Sequence, residues 1–423
     1  MSINTPRFPI PKNGSLKNHN GDIGNGSAND LQIIQKSTIP TEDPYGKVGQ
    51  HERIAFLMEQ QGININYLNN GTMPDNNDYL KGNIENFIGM TQVPTGIVGP
   101  LRVDGSAAKG DYFVPLATTE GTLVASYNRG VKAILLSGGA TSICIKEGVQ
   151  RCPLFKFTTL REGMDFVNWT DNQLEKLIEI TKASSRFAKL TELKSLIEGN
   201  QVIITLEFET GDASGQNMVT FCTEEICRFL IQNSPVKPVL WYIESNYSGD
   251  KKATANAFIN SRGKRVISEA RIPENVVLEV LKTTPAAMAE YTYASTIGAI
   301  LSGAIGAQGH FANGLAALFL ACGQDIACVS EASVGVTRME VTSEGSLYIS
   351  VTLPNLIVGT VGGGTSLPTQ QESLRLMDCE GKNNARKFAE ICGALLLAGE
   401  LSIVAAISSG QFTSAHKSLG RKI

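Results

Sequence analysis

Six segments carry side chains able to move protons, charge or phosphate. In Pro115-Leu116-Ala117-Thr118-Thr119-Glu120-Gly121 a carboxylate stands at the head of an apolar helical pattern, where burial would raise its pKa and suit it to general-acid work. A first-turn glutamate stabilised by the helix dipole reads the same way. Ser248-Gly249-Asp250-Lys251-Lys252 sets one carboxylate beside two ammonium groups, which either neutralise negative charge at a reacting centre or solvate a turn. Gly211-Asp212-Ala213-Ser214-Gly215-Gln216-Asn217-Met218 is a small-residue loop that lets a ligand approach the backbone. It is not a G-x-G-x-x-G fingerprint, no helical pattern follows it directly, and a hairpin turn explains it equally. Gly323-Gln324-Asp325 ends an apolar helix, and Val361-Gly362-Gly363-Gly364-Thr365 is a glycine run after a strand, suited to phosphate or ribose contact or to a tight turn. His416 stands near the C-terminus among Ser, Ala and Lys.

The elements that must position these groups follow from periodicity. Residues 1–42, rich in Asn, Gly, Ser, Lys and Pro, have too few apolar positions to offset ordering entropy and are expected to form a disordered tail. Helical patterning begins near Lys47, runs through His51–Gln61, and returns in a short segment around Asn77–Glu85. Strands at Gly96–Val103 and Asp111–Pro115 precede a long amphipathic helix after Thr119, with a turn at Gly138-Gly139-Ala140. Residues 152–242 change rhythm: a strand near Leu154–Thr158, a helix at Thr170–Ser184, strands at Gln201–Glu209 and Asn217–Phe221, a helix at Glu224–Asn233 and a strand at Val239–Ile243. That order predicts a split βαβ sandwich inserted into a larger domain, which resumes to the C-terminus with long Ala/Gly-rich helices.

Composition bounds the partners. The chain of 423 residues, 42% apolar, is long enough for two or three packed domains. A net charge of −3 without a basic block offers nothing to nucleic acid or an anionic membrane. The eight cysteines have no C-x-x-C spacing, so neither a zinc site nor a disulfide framework is expected, and the first residues, lacking a basic start followed by an apolar run, do not read as a secretory signal. Thr296–Gly323 and Ile391–Gly410 are apolar enough to suggest membrane spans, but Gln308, His310 and Asn313 interrupt the first and Glu400 the second. Both are expected to be buried helices packed through small residues, in a soluble, cytoplasmic protein.

Taken in order, the segments resemble hydroxymethylglutaryl-CoA (HMG-CoA) reductases. The resemblance rests on Glu85-Asn86-Phe87-Ile88-Gly89, Ala117-Thr118-Thr119-Glu120-Gly121, Ser185-Arg186-Phe187-Ala188, the Asp212–Met218 loop, Asp250-Lys251-Lys252, Gly323-Gln324-Asp325, Gly359–Thr365, Gly399-Glu400-Leu401-Ser402 and Ser414-Ala415-His416. It spans about residues 50–420. It implies an α+β fold: a helical segment at 43–84, a large α/β domain around a central helix at 85–151 and 243–415, an inserted ferredoxin-like NADP-binding domain at 152–242, and a catalytic-histidine tail at 416–423. It further implies reduction of HMG-CoA to mevalonate and CoA with two NADPH, in a homodimer or dimer of dimers with sites at the subunit interface. Lys251 then stabilises the developing oxyanion, His416 protonates the departing thiolate, Glu120 supplies the proton to the mevaldehyde oxygen, and Asp325 tunes Lys251 and Glu120. Asp212, Ala213, Ser214, Gly215, Gln216, Asn217 and Met218, with Gly362, Gly363, Gly364 and Thr365, hold NADPH, and Ser185 and Arg186 lie near its 2′-phosphate, whose geometry a guanidinium matches. Glu85, Asn86, Arg151, Asp250, Lys252 and Asn313 meet substrate. No metal is implied.

Two positions depart from the family. Animal and plant members carry a lysine that pairs with the free carboxylate of HMG. Here the stretch Glu290–Gly298 is about two residues shorter and has none. Glu244 replaces a serine of the substrate loop, and an acid there would repel a bound carboxylate. Arg151 and Lys252 are the expected compensation. A reductase of another acyl-CoA thioester, or a non-catalytic CoA- or nucleotide-binding relative, are the alternatives these departures raise.

Overall fold

The computed structural model describes residues 78–410 continuously, together with Asp43, 46–49, His51, Glu52, Ala55 and Glu59. It separates into a unit of Met1–Gln92 and a unit of Val93–Ile423. In the first unit residues 47–49, 51, 52, 55 and 59 are helical, and a 3-10 turn spans Asp78–Leu80. Glu85 and Asn86 are exposed there, Asn86 at φ 51°.

The second unit is an α+β structure on an 11-stranded sheet. Its strands are β1 Thr95–Gly105, β2 Lys109–Ala117, β3 Ala140–Arg151, β4 Leu154–Lys156, β5 Lys189–Glu198, β6 Gln201–Glu209, β7 Leu240–Tyr242, β8 Gly263–Ile272, β9 Gly306–Ala307, β10 Gly335–Val341 and β11 Leu347–Leu356. Its helices are α1 Leu123–Leu136, α2 Leu160–Thr170, α3 Leu174–Ser184, α4 Gln216–Asn233, α5 Pro285–Ser302, α6 Phe311–Ala321, α7 Val329–Ala332, α8 Pro368–Leu376 and α9 Ala385–Ser408, with a further helical turn at Glu274–Val276.

Strand β3 joins two layers. Its Thr141–Gly148 stretch pairs with β8, and Val149–Arg151 pairs with β6. Beyond that crossing the strand order β7-β4-β6-β5, with α2 and α3 before β5 and α4 between β6 and β7, is the split βαβ arrangement. It has its own core, in which Phe155, Phe157, Phe166, Leu177, Ile204 and Ile226 are fully buried.

Two expectations for this region are corrected. Asn217–Phe221 is helical, because α4 begins at Gln216 directly after Gly215 turns the chain at φ 78°. Buried Val219, Cys222, Thr223, Ile226, Cys227 and Leu230 recur at helical spacing, which outweighs the β-branched look of the first turn. The strand taken to lie there is instead β5, whose interleaved Lys189, Glu192, Lys194 and Glu198 blunt the alternation of an edge strand.

The larger core wraps α9, which packs against α1, α6 and strands β1, β3, β8 and β11. By length and composition α9 could cross a membrane, yet 83% of its apolar window is buried inside the protein. Two carboxylates bind it in place. Glu390 accepts from the backbone N–H groups of Ala107 (2.8 Å), Ala108 (2.7 Å) and Cys144 (3.1 Å). Glu400 accepts from Gly309 N (2.7 Å), His310 N (2.8 Å), His310 Nδ1 (3.1 Å) and Thr337 Oγ1 (2.7 Å). Burial would raise the Glu400 pKa, but the His310, Gly309 and Thr337 donors outweigh it and hold the carboxylate below its ordinary value.

Helices α1 and α9 meet at Gly130, where an added Cβ would lie 1.9 Å from the Ala398 carbonyl oxygen. Gly130→Ala is expected to cost about 1–3 kcal/mol of stability through overpacking, read from the urea midpoint; an unshifted midpoint would mean that the two helices can separate freely.

The stretch Thr296–Gly323 is not one buried helix. Gly303 ends α5 in the left-handed conformation, and the chain pairs briefly with β10 before restarting at Phe311 as α6. Whereas α6 is buried, α5 leaves Tyr293 73%, Ile300 66% and Leu301 82% exposed.

Candidate active site

The loop after β7 delivers Asp250 and Lys251 to the C-terminal end of α6. Lys251 has φ 56°, a left-handed conformation unusual for a residue with a Cβ. Its Nζ lies 2.9 Å from Asp325 Oδ2. Asp325 is itself fixed, its Oδ1 accepting from Ala327 N (3.0 Å) at the head of a 3-10 turn, Ile326–Cys328. The hydrogen bond from Lys251 to Asp325 outweighs partial desolvation and raises the amine above its ordinary 10.5.

Beneath the lysine lies a group that sequence reasoning missed. Arg262 (1% exposed) binds both oxygens of Glu331 (0% exposed) at 2.7 Å through Nη1, and its Nη2 is 3.0 Å from Asp250 Oδ1. The backbone N–H of Lys251 donates to Glu331 Oε1 (3.1 Å). Burial pushes the Asp250 carboxyl up, but Arg262 and Arg151 outweigh it and hold it low. With the partners 69 positions apart in the chain, no local spacing could signal the pair.

Arg151, 9% exposed, is engaged on every side: Nε donates to Thr220 Oγ1 (2.9 Å), Nη1 to Asp250 Oδ2 (2.8 Å), and Nη2 to the Gln216 carbonyl (3.4 Å). Its Nη1 is also 3.6 Å from Glu244 Oε2. Arg151 therefore serves the loop, and Glu244 draws on the same guanidinium. Lys252 is exposed, its Nζ on the Asp250 carbonyl at 3.0 Å.

The two glycine runs come together. The Gly211–Met218 segment is the N-terminal entry of α4, not a hairpin turn, so the free N–H groups and the positive dipole end of an 18-residue helix open onto it. No side chain caps Gly215. Gly359 packs on this loop, since a Cβ there would lie 2.6 Å from Ser214 N and 2.8 Å from the Asp212 carbonyl oxygen. Gly364 abuts Gly323 just before Asp325. Gly362 (φ 79°) and Gly363 (φ 56°) have nothing within 4 Å of an added Cβ, so their backbone faces open space, and Thr365 Oγ1 fastens the turn to the Gly362 carbonyl (2.8 Å).

Asp212 does a different job with its carboxylate, accepting from Asn383 N (2.7 Å) and Ala385 N (3.2 Å) at the start of α9. Gln216 turns inward, its Oε1 accepting from Arg262 Nη2 (3.3 Å). Met218 packs on the smaller core, Ala213 and Ser214 are half-buried and Asn217 is exposed. Ser185 and Arg186 lead into β5, whose Lys189 pairs with Glu209 at the same sheet end as the loop. Ser185 Oγ is spent locally on Phe187 N and Ala188 N, and the Arg186 guanidinium lies 5.8 Å from the Phe187 ring centroid.

Glu120 and Asn313 form a second group. Glu120 is exposed and stands three positions before the start of α1, instead of being buried at its head as the sequence suggests. Asn313 Nδ2 lies 3.5 Å from Glu120 Oε1. Asn313 is in the first turn of α6, while Asp325 follows that helix's C-terminus. The two groups are separated by roughly 12 Å of helix at 1.5 Å per residue. Among the described residues no hydrogen bond or ion pair joins Glu120 to Lys251 or Asp325. His416 lies outside the described residues.

Residues 49–421 match the family model described as hydroxymethylglutaryl-coenzyme A reductase. The 3-hydroxy-3-methylglutaryl-coenzyme A reductase of Pyrococcus abyssi is 43% identical over 86% of this chain and 91% of that protein. That of Pyrococcus horikoshii is 43% identical over 94% and 100%, and reductase 1 of Solanum tuberosum 38% over 94% and 69%. The class II reductase of Streptococcus pneumoniae, solved bound to NADPH in open conformations, superimposes with a TM-score of 0.61 at 20% identity, covering 78% of this chain and 88% of that one, a likeness of fold. With a family match over most of its length and these identities, the chain belongs to the hydroxymethylglutaryl-coenzyme A reductase family.

Proposed function

We propose that this chain reduces HMG-CoA to mevalonate and free CoA, using two NADPH. The observation that carries the reading is the Lys251–Asp325 ion pair at 2.9 Å, set where the Gly362–Thr365 turn packs on Gly323 and the α4 loop packs on Gly359. The residues present fit the dinucleotide: an uncapped helix N-terminus and an open glycine backbone are donors for phosphate. NADPH supplies hydride. Lys251, held cationic by Asp325, stabilises the negative charge that develops on the thioester oxygen as hydride adds. His416 gives the departing thiolate its proton, and Glu120 protonates the aldehyde oxygen in the second reduction, with Asn313 orienting the Glu120 carboxylate. Arg186 meets the 2′-phosphate, and Asp250 and Lys252 meet the HMG moiety. Glu85 and Asn86 belong to the segment that meets CoA.

The protein works as a homodimer or dimer of dimers in the cytoplasm. Within one chain Glu120 and Lys251 stand at opposite ends of α6, so a second copy completes each site, and the exposed apolar face of α5 supplies surface for that copy to cover. Mixing Glu120→Gln chains with Lys251→Ala chains tests both points in one assay of NADPH consumed per CoA released. Random pairing of two inactive chains should restore about a quarter of wild-type turnover, since half the dimers then carry one intact site of two. No recovery in mixtures shown to exchange subunits would place the site within one chain. A CoA thioester lacking the distal carboxylate, run in parallel, checks whether Glu244 on Arg151 has altered substrate choice.

A further inference from the structure

We propose that Glu331, paired with Arg262, is a positioning residue that fixes the backbone of Lys251 and thereby aims its ammonium at Asp325. The inference rests on the role given to Lys251 above. Three observations carry it. Lys251 occupies the left-handed region at φ 56°, which a residue with a Cβ holds only where its surroundings impose it. The contact that imposes it is the bond from Lys251 N to Glu331 Oε1 at 3.1 Å. Glu331 cannot turn away, because it is 0% exposed and both its oxygens are held by Arg262 Nη1 at 2.7 Å.

Arg262 also reaches Asp250 Oδ1 (3.0 Å) and Gln216 Oε1 (3.3 Å). One buried guanidinium thus ties together the residue before the lysine, the carboxylate beneath it and the first residue of α4. The lysine is held in register with the α4 loop through its backbone, while its ammonium pairs with Asp325.

Glu331→Asp separates the two roles. It keeps the charge for Arg262 and withdraws the acceptor from Lys251 N by one methylene. The expected result is a folded protein with kcat lowered about 10²-fold, the order that misplacement by an ångström produces. KM for HMG-CoA should stay within about threefold, because an interaction made only in the transition state is lost. Reactivity of Lys251 toward an acylating reagent should change as well, which a purely structural pair would not alter. Wild-type kcat in folded Glu331→Asp overturns the inference. Should that variant fail to fold, Arg262→Met with Glu331→Met removes both charges and leaves neither orphaned. Folded and slow, it supports positioning; folded and at wild-type kcat, it refutes it. If Lys251→Ala itself turns over normally, the reading of Lys251 fails; if Lys251→Ala is inactive while the Glu331 variants are fully active, only this inference fails.

Discussion

Lys251→Ala is expected to lower turnover of HMG-CoA at least about 10³-fold while leaving NADPH affinity within about threefold. Removing one preorganised donor from a developing oxyanion typically costs 10²–10³-fold in kcat, and here the lost group is a full cation paired to Asp325 at 2.9 Å. The glycine loops that fit the dinucleotide do not use the lysine side chain, so binding survives. Fluorescence titration with NADPH and stopped assays of CoA release measure the two separately. Retained turnover would remove Lys251 from the chemistry.

The pH profile follows from the same pair. The amine is raised above 10.5 by its hydrogen bond to Asp325. A raised folded pKa means that the contribution of the cation is fully present below 10.5 and fades as pH rises through the folded value. Activity should not report a lysine ionisation anywhere near neutrality. Asp325→Asn removes the largest cause of the shift, so any alkaline loss should move to lower pH; an unchanged alkaline limb would mean that another group sets it.

Arg262→Met is expected to destabilise the protein by about 3–5 kcal/mol, because it leaves the fully buried Glu331 without its cation, while part-buried Asp250 keeps Arg151 alone. The penalty is the orphaned charge more than the lost attraction. The double variant Arg262→Met with Glu331→Met should recover most of it, since replacing both members of a buried pair by apolar groups is often neutral or better. Urea unfolding at neutral pH measures both. A single variant as stable as wild type would show that water reaches Glu331, and the positioning role would lose its rigid base.

Much of the candidate site was legible as residue types in order. Glu120, Lys251, Asp325 and the glycine runs stand in segments whose composition announces charge or close backbone approach, whereas Asn313 was indicated by the family resemblance alone. The split βαβ order of the smaller layer could be read even though one of its strands was assigned to the wrong residues, because alternation and turn signals survive an error of one element. The entry to α4 could not: a glycine at φ 78° starts the helix with no side-chain cap, so the usual N-terminal signal is missing.

What the sequence by itself determined is the inventory: which groups exist, their chain order, and the periodicities that make α1, α4 and α9 helices with one or more buried faces. What only the tertiary structure decided is pairing and environment. That Glu120 is exposed, that Asp212 spends its carboxylate on the start of α9, that Arg151 is shared between Asp250 and Glu244, and that Arg262 and Glu331 lie beneath Lys251 all depend on contacts between residues far apart in the chain. Local sequence cannot encode such pairs, because the energy of a buried charge is set by the partner that folding brings to it and by the water that folding removes.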